Sequence, residues 1–446
     1  MLLFALLSAC VTEEKPTPVV DAPTWHADIA PIVQEHCTSC HVAGGVAPFE
    51  LDGYDAAAPL AASLAAAVEA GTMPPWGAES TDECQPRFGF ADDIRLSDAE
   101  KELLRAWADA GAPEGDSAAA AELPAAPVLD LVDADVQVAP LLPYVAAGEA
   151  DQFRCFSVDP EIAEDVWITG LQVVPGNPQV VHHVLVFADP ERESAALVGA
   201  DGTYDCFGGS GLSSGGALLG AWAPGAFPFE SPPGTGMALS ANSLLVMQIH
   251  YHPIGQVSDA DTTAVQLRYT AEAPAREAVL ALLGNASSAA DGLDTGMNDR
   301  GARAEFRIPA GAADHVESIR YVIPEGDGPY SIFMAGTHMH YVGTDMLIQV
   351  DHAVPVGDEP ATECLVQTPR WDFNWQRAYS YDAPLDQVPV IRGGDTLRLR
   401  CTYDNTLDNA GVRQALDDAG LSEPADVYLG EETLDEMCLG VFGIVL

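Results

Sequence analysis

From about residue 136 to the C-terminus, short segments rich in β-branched and aromatic residues alternate with turn clusters. Examples are QVVHHVLVFAD, SLLVMQIHYHP and DTLRLRCTYDN. The 40 glycines and 33 prolines of the chain favour many short strands over long helices. This pattern predicts an all-β region of about 310 residues, which is long enough for two sandwiches. A break near residues 276–300 is the expected boundary between them.

The preceding part, from Trp25 to about Pro113, has a helical pattern instead. In LSDAEKELLRAWADAGAP, Ser97 is a predicted N-cap, Glu100 occupies the capping-box position and Gly111 marks the end of the helix. Residues 114–135 are rich in Ala and Pro, which is typical of a linker.

The N-terminus, MLLFALLSAC, resembles a bacterial lipoprotein signal in which Cys10 becomes the lipidated first residue. It departs from that pattern by having no Lys or Arg before the apolar run, and the alternative is an ordinary cleaved signal peptide. The run is too short to span a bilayer. Both alternatives predict an exported protein, periplasmic or on the cell surface, with a lipid anchor in the outer membrane if Cys10 is modified.

The formal net charge of −48 argues against a nucleic-acid partner, because the phosphate backbone would be repelled. The chain has nine cysteines. Export permits disulfides among them, but spacing alone does not fix their connectivity.

Cys37-Thr38-Ser39-Cys40-His41 matches the C-x-x-C-H signature of c-type haem attachment. The two thiols would form thioether links, and the His41 imidazole would bind the iron. Met73, in MPPW, is the candidate second axial ligand. The alternatives are a disulfide or zinc site at the two cysteines and a core methionine at 73. The segment 25–116 resembles a small bacterial mono-haem cytochrome c domain.

Of the 11 histidines, the five candidate ligands His182, His183, His250, His338 and His340 lie in three strand-like segments. His338 and His340 share one face of a strand, since side chains alternate with period two, and this favours joint ligation of one ion. The adjacent His182 and His183 would point to opposite faces unless a bulge or strand end intervenes. Otherwise one of the two is buried and the other exposed.

His250 and His252 also form a same-face pair, so their spacing leaves open whether one or both bind a metal. Met437, in LDEMCLG, would by itself be assigned to the core.

The order HHVLVF, MQIHYH, THMH and EMC resembles the copper type II ascorbate-dependent monooxygenases, which hydroxylate peptidylglycine or dopamine. The resemblance implies two antiparallel β-sandwich (jelly-roll) domains, each with one copper ion. It assigns His182, His183 and His250 to the electron-transfer copper, and His338, His340 and Met437 to the oxygen-binding copper. A thioether ligand favours Cu(I), the form that meets O2. His252 falls outside the match.

The cysteines extend this resemblance. It implies one disulfide between Cys155 and Cys206 and another between Cys401 and Cys438. Cys84 and Cys364 are left over, either free or joined across domains.

The sequence also departs from the family. The peptide-processing branch has an Arg two positions before H-x-H, where Gly336 stands here, so a peptidylglycine substrate is not expected. Arg370, Trp371 and Trp375 could line a cleft, although core aromatics are the simpler interpretation.

The predicted fold is mainly β, with a small all-α cytochrome c domain ahead of the two sandwiches. The predicted ranges are 1–10 (signal), 11–24 (tether), 25–116 (cytochrome c), 117–135 (linker), 136–280 and 281–446 (sandwiches). The resemblance implies a copper-dependent monooxygenase that hydroxylates a small-molecule substrate with O2. Its cofactors would be two copper ions and one haem c, with ascorbate or another reductant as donor. The alternative is a non-catalytic copper/haem electron-transfer or copper-binding protein.

Overall fold

The computed structural model describes residues 22–125, 127–148, 151–206, 208–253, 259–430 and 434–446. The predicted signal with Cys10, and most of the predicted tether, lie outside these residues. The described part is mainly β, with several antiparallel sheets, as the sequence predicts. Within it, no helix is both long and apolar enough to cross a membrane.

A π-helical turn at Trp25–Ile29 precedes the first α-helix. The α-helices of the described residues are α1 (Ala30–His36), α2 (Tyr54–Ala57), α3 (Ala61–Glu69), α4 (Asp98–Asp109) and α5 (Ala410–Asp418). The strands are β1 (Val136–Val138), β2 (Gln152–Val158), β3 (Val166–Val174), β4 (Val181–Asp189), β5 (Tyr204–Asp205), β6 (Ala217–Trp222), β7 (Phe229–Glu230), β8 (Thr235–Leu239), β9 (Leu244–Tyr251), β10 (Ala264–Thr270), β11 (Arg276–Gly284), β12 (Arg307–Ile308), β13 (His315–Val322), β14 (Tyr330–His338), β15 (Gly343–Asp351), β16 (Thr362–Thr368), β17 (Ala378–Ser380), β18 (Val390–Ile391), β19 (Thr396–Tyr403), β20 (Val427–Tyr428) and β21 (Leu439–Val445).

The predicted capping box begins α4. The Ser97 hydroxyl accepts from the Glu100 backbone N–H, and the Glu100 carboxylate accepts from Ser97 N–H, which pairs two donors that the helix cannot pair itself. The helix ends at Asp109, and Gly111, which follows the C-cap residue Ala110, has a φ of +83°. Trp107 of α4 packs on Trp25 with ring centroids 5.9 Å apart. The helices therefore have a small core of their own.

A single ten-stranded sheet extends through the whole β region. Its order is β1-β10-β3-β8-β11-β21-β14-β17, with β7 beside β3 and β18 beside β14. Pairing is antiparallel except between β8 and β11, which are parallel. A five-stranded sheet (β5-β2-β9-β4-β6) and a four-stranded sheet (β13-β19-β15-β16) complete the main layers.

The β region has two hydrophobic cores. One contains residues of the five-stranded sheet together with β3, β8 and β10. The other contains residues of the four-stranded sheet together with β14 and β21. The boundary predicted between residues 280 and 281 lies inside β11, the strand that joins the two halves of the long sheet.

Three disulfides cross-link the described residues. Cys155–Cys206 and Cys401–Cys438 are the two pairs that the resemblance implies. The left-over cysteines form the third, Cys84–Cys364, which fastens the segment after α3 to β16. Disulfides persist in oxidising compartments, so these bonds indicate an exported protein.

Candidate metal centres and their shared cavity

A β-bulge brings His182 and His183 to the same side of β4. The pairing of β4 with β9 shifts register between Val181 and His183, and this irregularity allows neighbouring side chains to converge. His183 is also the direct cross-strand partner of His250 on β9. The ligand atoms of the three histidines all lie within 4.8 Å of one another. We call this group the three-histidine cluster.

The Nδ1 atoms of the three-histidine cluster converge on one point. His183 Nδ1 lies 3.2 Å from His182 Nδ1 and 3.3 Å from His250 Nδ1. Nitrogens bound about 2 Å from a tetrahedral metal ion would lie about 3.3 Å from each other. Burial, followed by the nearby His250, lowers the pKa of His182 to about 3, so the imidazole is neutral and able to coordinate. The cluster therefore fits a metal ion.

Asp151 links the three-histidine cluster to His252. Its carboxylate lies 3.3 Å from His250 Nε2, in poor hydrogen-bond alignment, and 2.7 Å from His252 Nδ1. Burial opposes ionisation of Asp151, but the contacts with the two histidines outweigh it and lower its pKa. His252 thus contacts the carboxylate rather than the converging nitrogens.

The second group, which we call the His–Met cluster, lies where two paired strands end. His338 is the last residue of β14 and His340 follows two positions later, while Met437 precedes β21. Since β14 and β21 pair with His338 opposite Leu439, the three residues lie at one end of the sheet and line one cavity. The imidazole centroids of His338 and His340 are 5.3 Å apart. The Cys401–Cys438 disulfide holds the residue after Met437.

Each imidazole of the His–Met cluster has an Nδ1 partner. His338 Nδ1 lies 2.8 Å from the Gln376 side-chain oxygen, and His340 Nδ1 lies 3.1 Å from the Asp435 carbonyl. Both acceptors require the Nδ1–H tautomer, which leaves Nε2 as the coordinating atom. Burial lowers the pKa of His338 to about 3. Two neutral imidazoles and a thioether are a donor set that suits copper, Cu(I) in particular.

Glu436 holds the backbone of the His–Met cluster in place. Its carboxylate accepts the backbone N–H of His340, and those of Val342 (3.2 Å) and Met437 (2.8 Å). Complete burial raises the pKa of Glu436 to about 8 in spite of these hydrogen bonds. One side chain therefore joins the loop of His340 to the segment of Met437.

Both clusters open into one cavity of about 280 Å³, which we call the central cavity. Its remaining wall is largely apolar, with Trp222, Phe227, Phe229, Leu282 and Val441 among the lining residues.

Phe373 stands between the two clusters. Its ring stacks on His182 with centroids 5.2 Å apart, and meets the His340 ring edge-on at 5.9 Å.

Residues 370–377, which include Phe373, contact both clusters and are called the 370–377 segment. Trp371 Nε1–H donates to the His340 carbonyl at 3.0 Å, and Gln376 orients His338. Arg370 bonds to Ala70 of the helical part at 2.9 Å. The sequence interpretation noted the aromatics of this segment but not the roles of Phe373 and Gln376. No local pattern marks these two residues, because their contacts with the histidines are long-range.

Gly336 lies where no long side chain fits. A Cβ there would stand 2.9 Å from the Ala378 backbone and 3.1 Å from the Arg377 carbonyl. The pairing of β14 with β17 fixes this closeness, since Gly336 faces Ala378. This backbone therefore excludes a clamping Arg at position 336.

The haem motif lies at the end of α1. Cys37 and Cys40 are free thiols, whereas the other six described cysteines form disulfides. His41 Nδ1 lies 3.0 Å from the Phe49 carbonyl, so its Nδ1–H donates and Nε2 remains to coordinate. Burial raises the pKa of Cys37 to about 12. The two thiols and the oriented imidazole fit a covalently attached haem, with Met73 half-buried beyond α3.

No protein-family model and no curated protein matches this chain. Among solved structures, the tandem CBM22 domains of Paenibacillus barcinonensis Xyn10C cover 70% of this chain and 94% of their own, at 11% identity and TM-score 0.16. The infectious bursal disease virus VP2 subviral particle covers 72% of this chain and 83% of its own, at 9% identity and TM-score 0.09. Scores this low support no conclusion about fold or function.

Proposed function

We propose that this chain is an exported copper-dependent monooxygenase that hydroxylates a C–H bond of a small-molecule substrate with O2. The main support is that two separate donor sets, the three-histidine cluster and the His–Met cluster, face one largely apolar cavity. A storage or structural metal site would need neither the pairing of two sites nor a cavity between them.

The proposed domains follow the sequence prediction. Residues 25–116 would form a cytochrome c domain, and the two cores of the β region would belong to two jelly-roll sandwiches. The chain would be anchored by lipid at Cys10. The haem would be held by Cys37, Cys40, His41 and Met73, and it would receive electrons from an external donor.

Copper bound at the two clusters would supply one-electron chemistry and activation of O2. The protein's part is to hold neutral nitrogen ligands in place. At the three-histidine cluster, His182, His183 and His250 would bind one ion through convergent nitrogens. At the His–Met cluster, Gln376 and the Asp435 carbonyl fix the tautomers of His338 and His340, and Met437 adds the thioether.

The cavity indicates the kind of substrate. A volume of about 280 Å³ lies near the lower end of the range of small-molecule pockets and fits a compact substrate. The aromatic and aliphatic walls favour an apolar body and exclude water from the reacting bond.

Metal and haem analysis of the purified chain is the first test, with two copper ions and one haem c per chain expected. The second test is O2 uptake coupled to hydroxylated product, with ascorbate or another reductant. Met437→Ile should abolish product formation while haem absorbance and fold remain. Copper redox changes without coupled O2 uptake would instead identify a non-catalytic electron-transfer protein.

A further inference from the structure

We propose that electrons from the haem enter the central cavity through the contact of Cys40 with Gly225 and Arg377, and arrive first at His338. This inference rests on the proposed function, because it assumes haem at the C-x-x-C-H motif and copper at the His–Met cluster. It adds the point of entry and the order in which the two clusters are reduced.

The Cys40 sulfur packs directly on a glycine of the β region. A Cβ placed at Gly225 would lie 3.2 Å from Cys40 Sγ and 3.9 Å from an Arg377 guanidinium nitrogen. Gly225 has a φ of +78°, a conformation that other residues rarely adopt. Since a haem c is bonded through this sulfur, its thioether edge would meet the Gly225 backbone.

A continuous route leads from Gly225 to the His–Met cluster. Arg377 donates a hydrogen bond of 2.7 Å to the Gly225 carbonyl. Arg377 follows Gln376 in the chain, and the Gln376 side-chain oxygen lies 2.8 Å from His338 Nδ1. Between the Cys40 sulfur and His338 there are thus one packing contact, two hydrogen bonds and otherwise covalent bonds.

The helical part is held firmly in this position. The Tyr379 hydroxyl accepts the N–H groups of Gly77 (3.0 Å) and Ala78 (3.2 Å). The Arg377 guanidinium lies over the Trp76 ring, 5.3 Å from its centroid. The Cys84–Cys364 disulfide fastens the same segment covalently. An electron route across this interface therefore needs no docking step.

The transfer step balances without a proton. One electron would leave a ferrous haem held at Cys37 and Cys40, which would become ferric, and would reduce one Cu(II) held at the His–Met cluster to Cu(I). Electrons would reach the three-histidine cluster next, past Phe373, whose ring contacts both His340 and His182.

The test uses the full chain loaded with haem and copper, without oxygen. Haem is reduced and mixed in stopped flow; haem absorbance and the Cu(II) electron paramagnetic resonance signal are followed. His183→Ala, which lacks copper at the three-histidine cluster, should retain the fast haem oxidation, and His338→Ala should lose it. The reverse pattern would overturn the proposal.

Arg377→Met tests the route itself. It removes the hydrogen bond to Gly225 and should slow haem oxidation about tenfold or more, a loss of roughly 1.4 kcal/mol of barrier stabilisation. Arg370→Met is the matched control, because Arg370 bonds to Ala70 and Glu79 at the same interface but not to Gly225. Equal rates in the two variants would refute the route. Missing haem or copper in the native chain would refute the proposed function instead, whereas full loading without electron transfer would refute only this inference.

Discussion

The two candidate metal centres are built in opposite ways. In the three-histidine cluster the nitrogens of three rings face each other at 3.2 and 3.3 Å. In the His–Met cluster each imidazole has an acceptor on its far side, Gln376 for His338 and the Asp435 carbonyl for His340. In the first arrangement the ring nitrogens point at one another, a geometry that a shared cation or an N–H···N hydrogen bond satisfies. The second is oriented before any ion binds.

The difference follows from where the residues lie in the sheets. His183 and His250 are direct partners on paired strands, so backbone pairing alone brings them together. His338 occupies the last ladder position, opposite Leu439, and His340 and Met437 lie beyond the ladder. Buried hydrogen bonds, the Cys401–Cys438 disulfide and the Glu436 carboxylate fix them instead. We infer that copper affinity at the three-histidine cluster depends most on the three ligands themselves. At the His–Met cluster it depends most on the residues that hold the ligands in place.

The largest expected effect is from His183→Ala. Its Nδ1 faces both other histidines, so copper affinity at the three-histidine cluster should fall more than about 100-fold, beyond the loss typical of a supporting residue. Titration with Cu(I) alone and metal analysis measure this. His252→Ala is the control, since His252 contacts Asp151 rather than the converging nitrogens, and it should retain two copper ions. Unchanged copper affinity in His183→Ala would contradict the assignment of the three histidines as copper ligands.

Gln376→Leu tests the supported centre. Without the side-chain oxygen, the His338 ring is free to change tautomer and turn, and copper affinity at the His–Met cluster should fall about 10–100-fold. The three-histidine cluster should keep its affinity in the same titration. Gln376→Glu retains an acceptor and should recover most of the loss. If Leu and Glu behaved alike, the hydrogen bond would not position His338.

The sequence predicted the mainly β fold and the capping box of α4 from local pattern, whereas the two sets of candidate ligands were implied by the resemblance to the copper monooxygenases. For His182 and His183 it predicted that joint ligation requires a bulge, and the register shift after Val181 supplies one. It could not predict Phe373 or Gln376. Their importance arises from a loop crossing between two cores, and no periodicity records such a long-range contact. The Cys84–Cys364 pairing was likewise left open, since spacing alone does not determine connectivity.

Phe373 is the point at which the two centres meet, so Phe373→Ala should disturb both. The buried ring should cost about 3–5 kcal/mol of unfolding free energy when truncated to Ala, and less when replaced by Leu. Urea unfolding measures this loss of stability. In the folded Phe373→Leu variant, the imidazole NMR signals of His182 and His340 should both shift. Phe306→Leu, a buried ring against Tyr403, is the control for general core loss. A shift at only one of the two histidines would show that Phe373 does not connect the two centres.

The smallest expected effect is the opposite response of individual histidines of the two centres to acid in the metal-free protein. Burial lowers the pKa of His182 and of His338 to about 3, against 6.5 for free histidine. Between these values the unfolded chain binds more protons, so stability falls as pH drops from 7 to 5.

His252 acts in the opposite sense. Its hydrogen bond to Asp151 raises its pKa, so it adds stability below the unfolded pKa, which is lost as pH rises through the folded pKa. It offsets part of the acid effect of the three-histidine cluster. Glu436, whose pKa burial raises to about 8, acts in the same sense beside the His–Met cluster. His338→Gln should therefore reduce the fall in Tm between pH 7 and 5 by a few degrees, and His252→Gln should enlarge it. Identical pH slopes in the native chain and both variants would show that neither histidine titrates on unfolding as these contacts require.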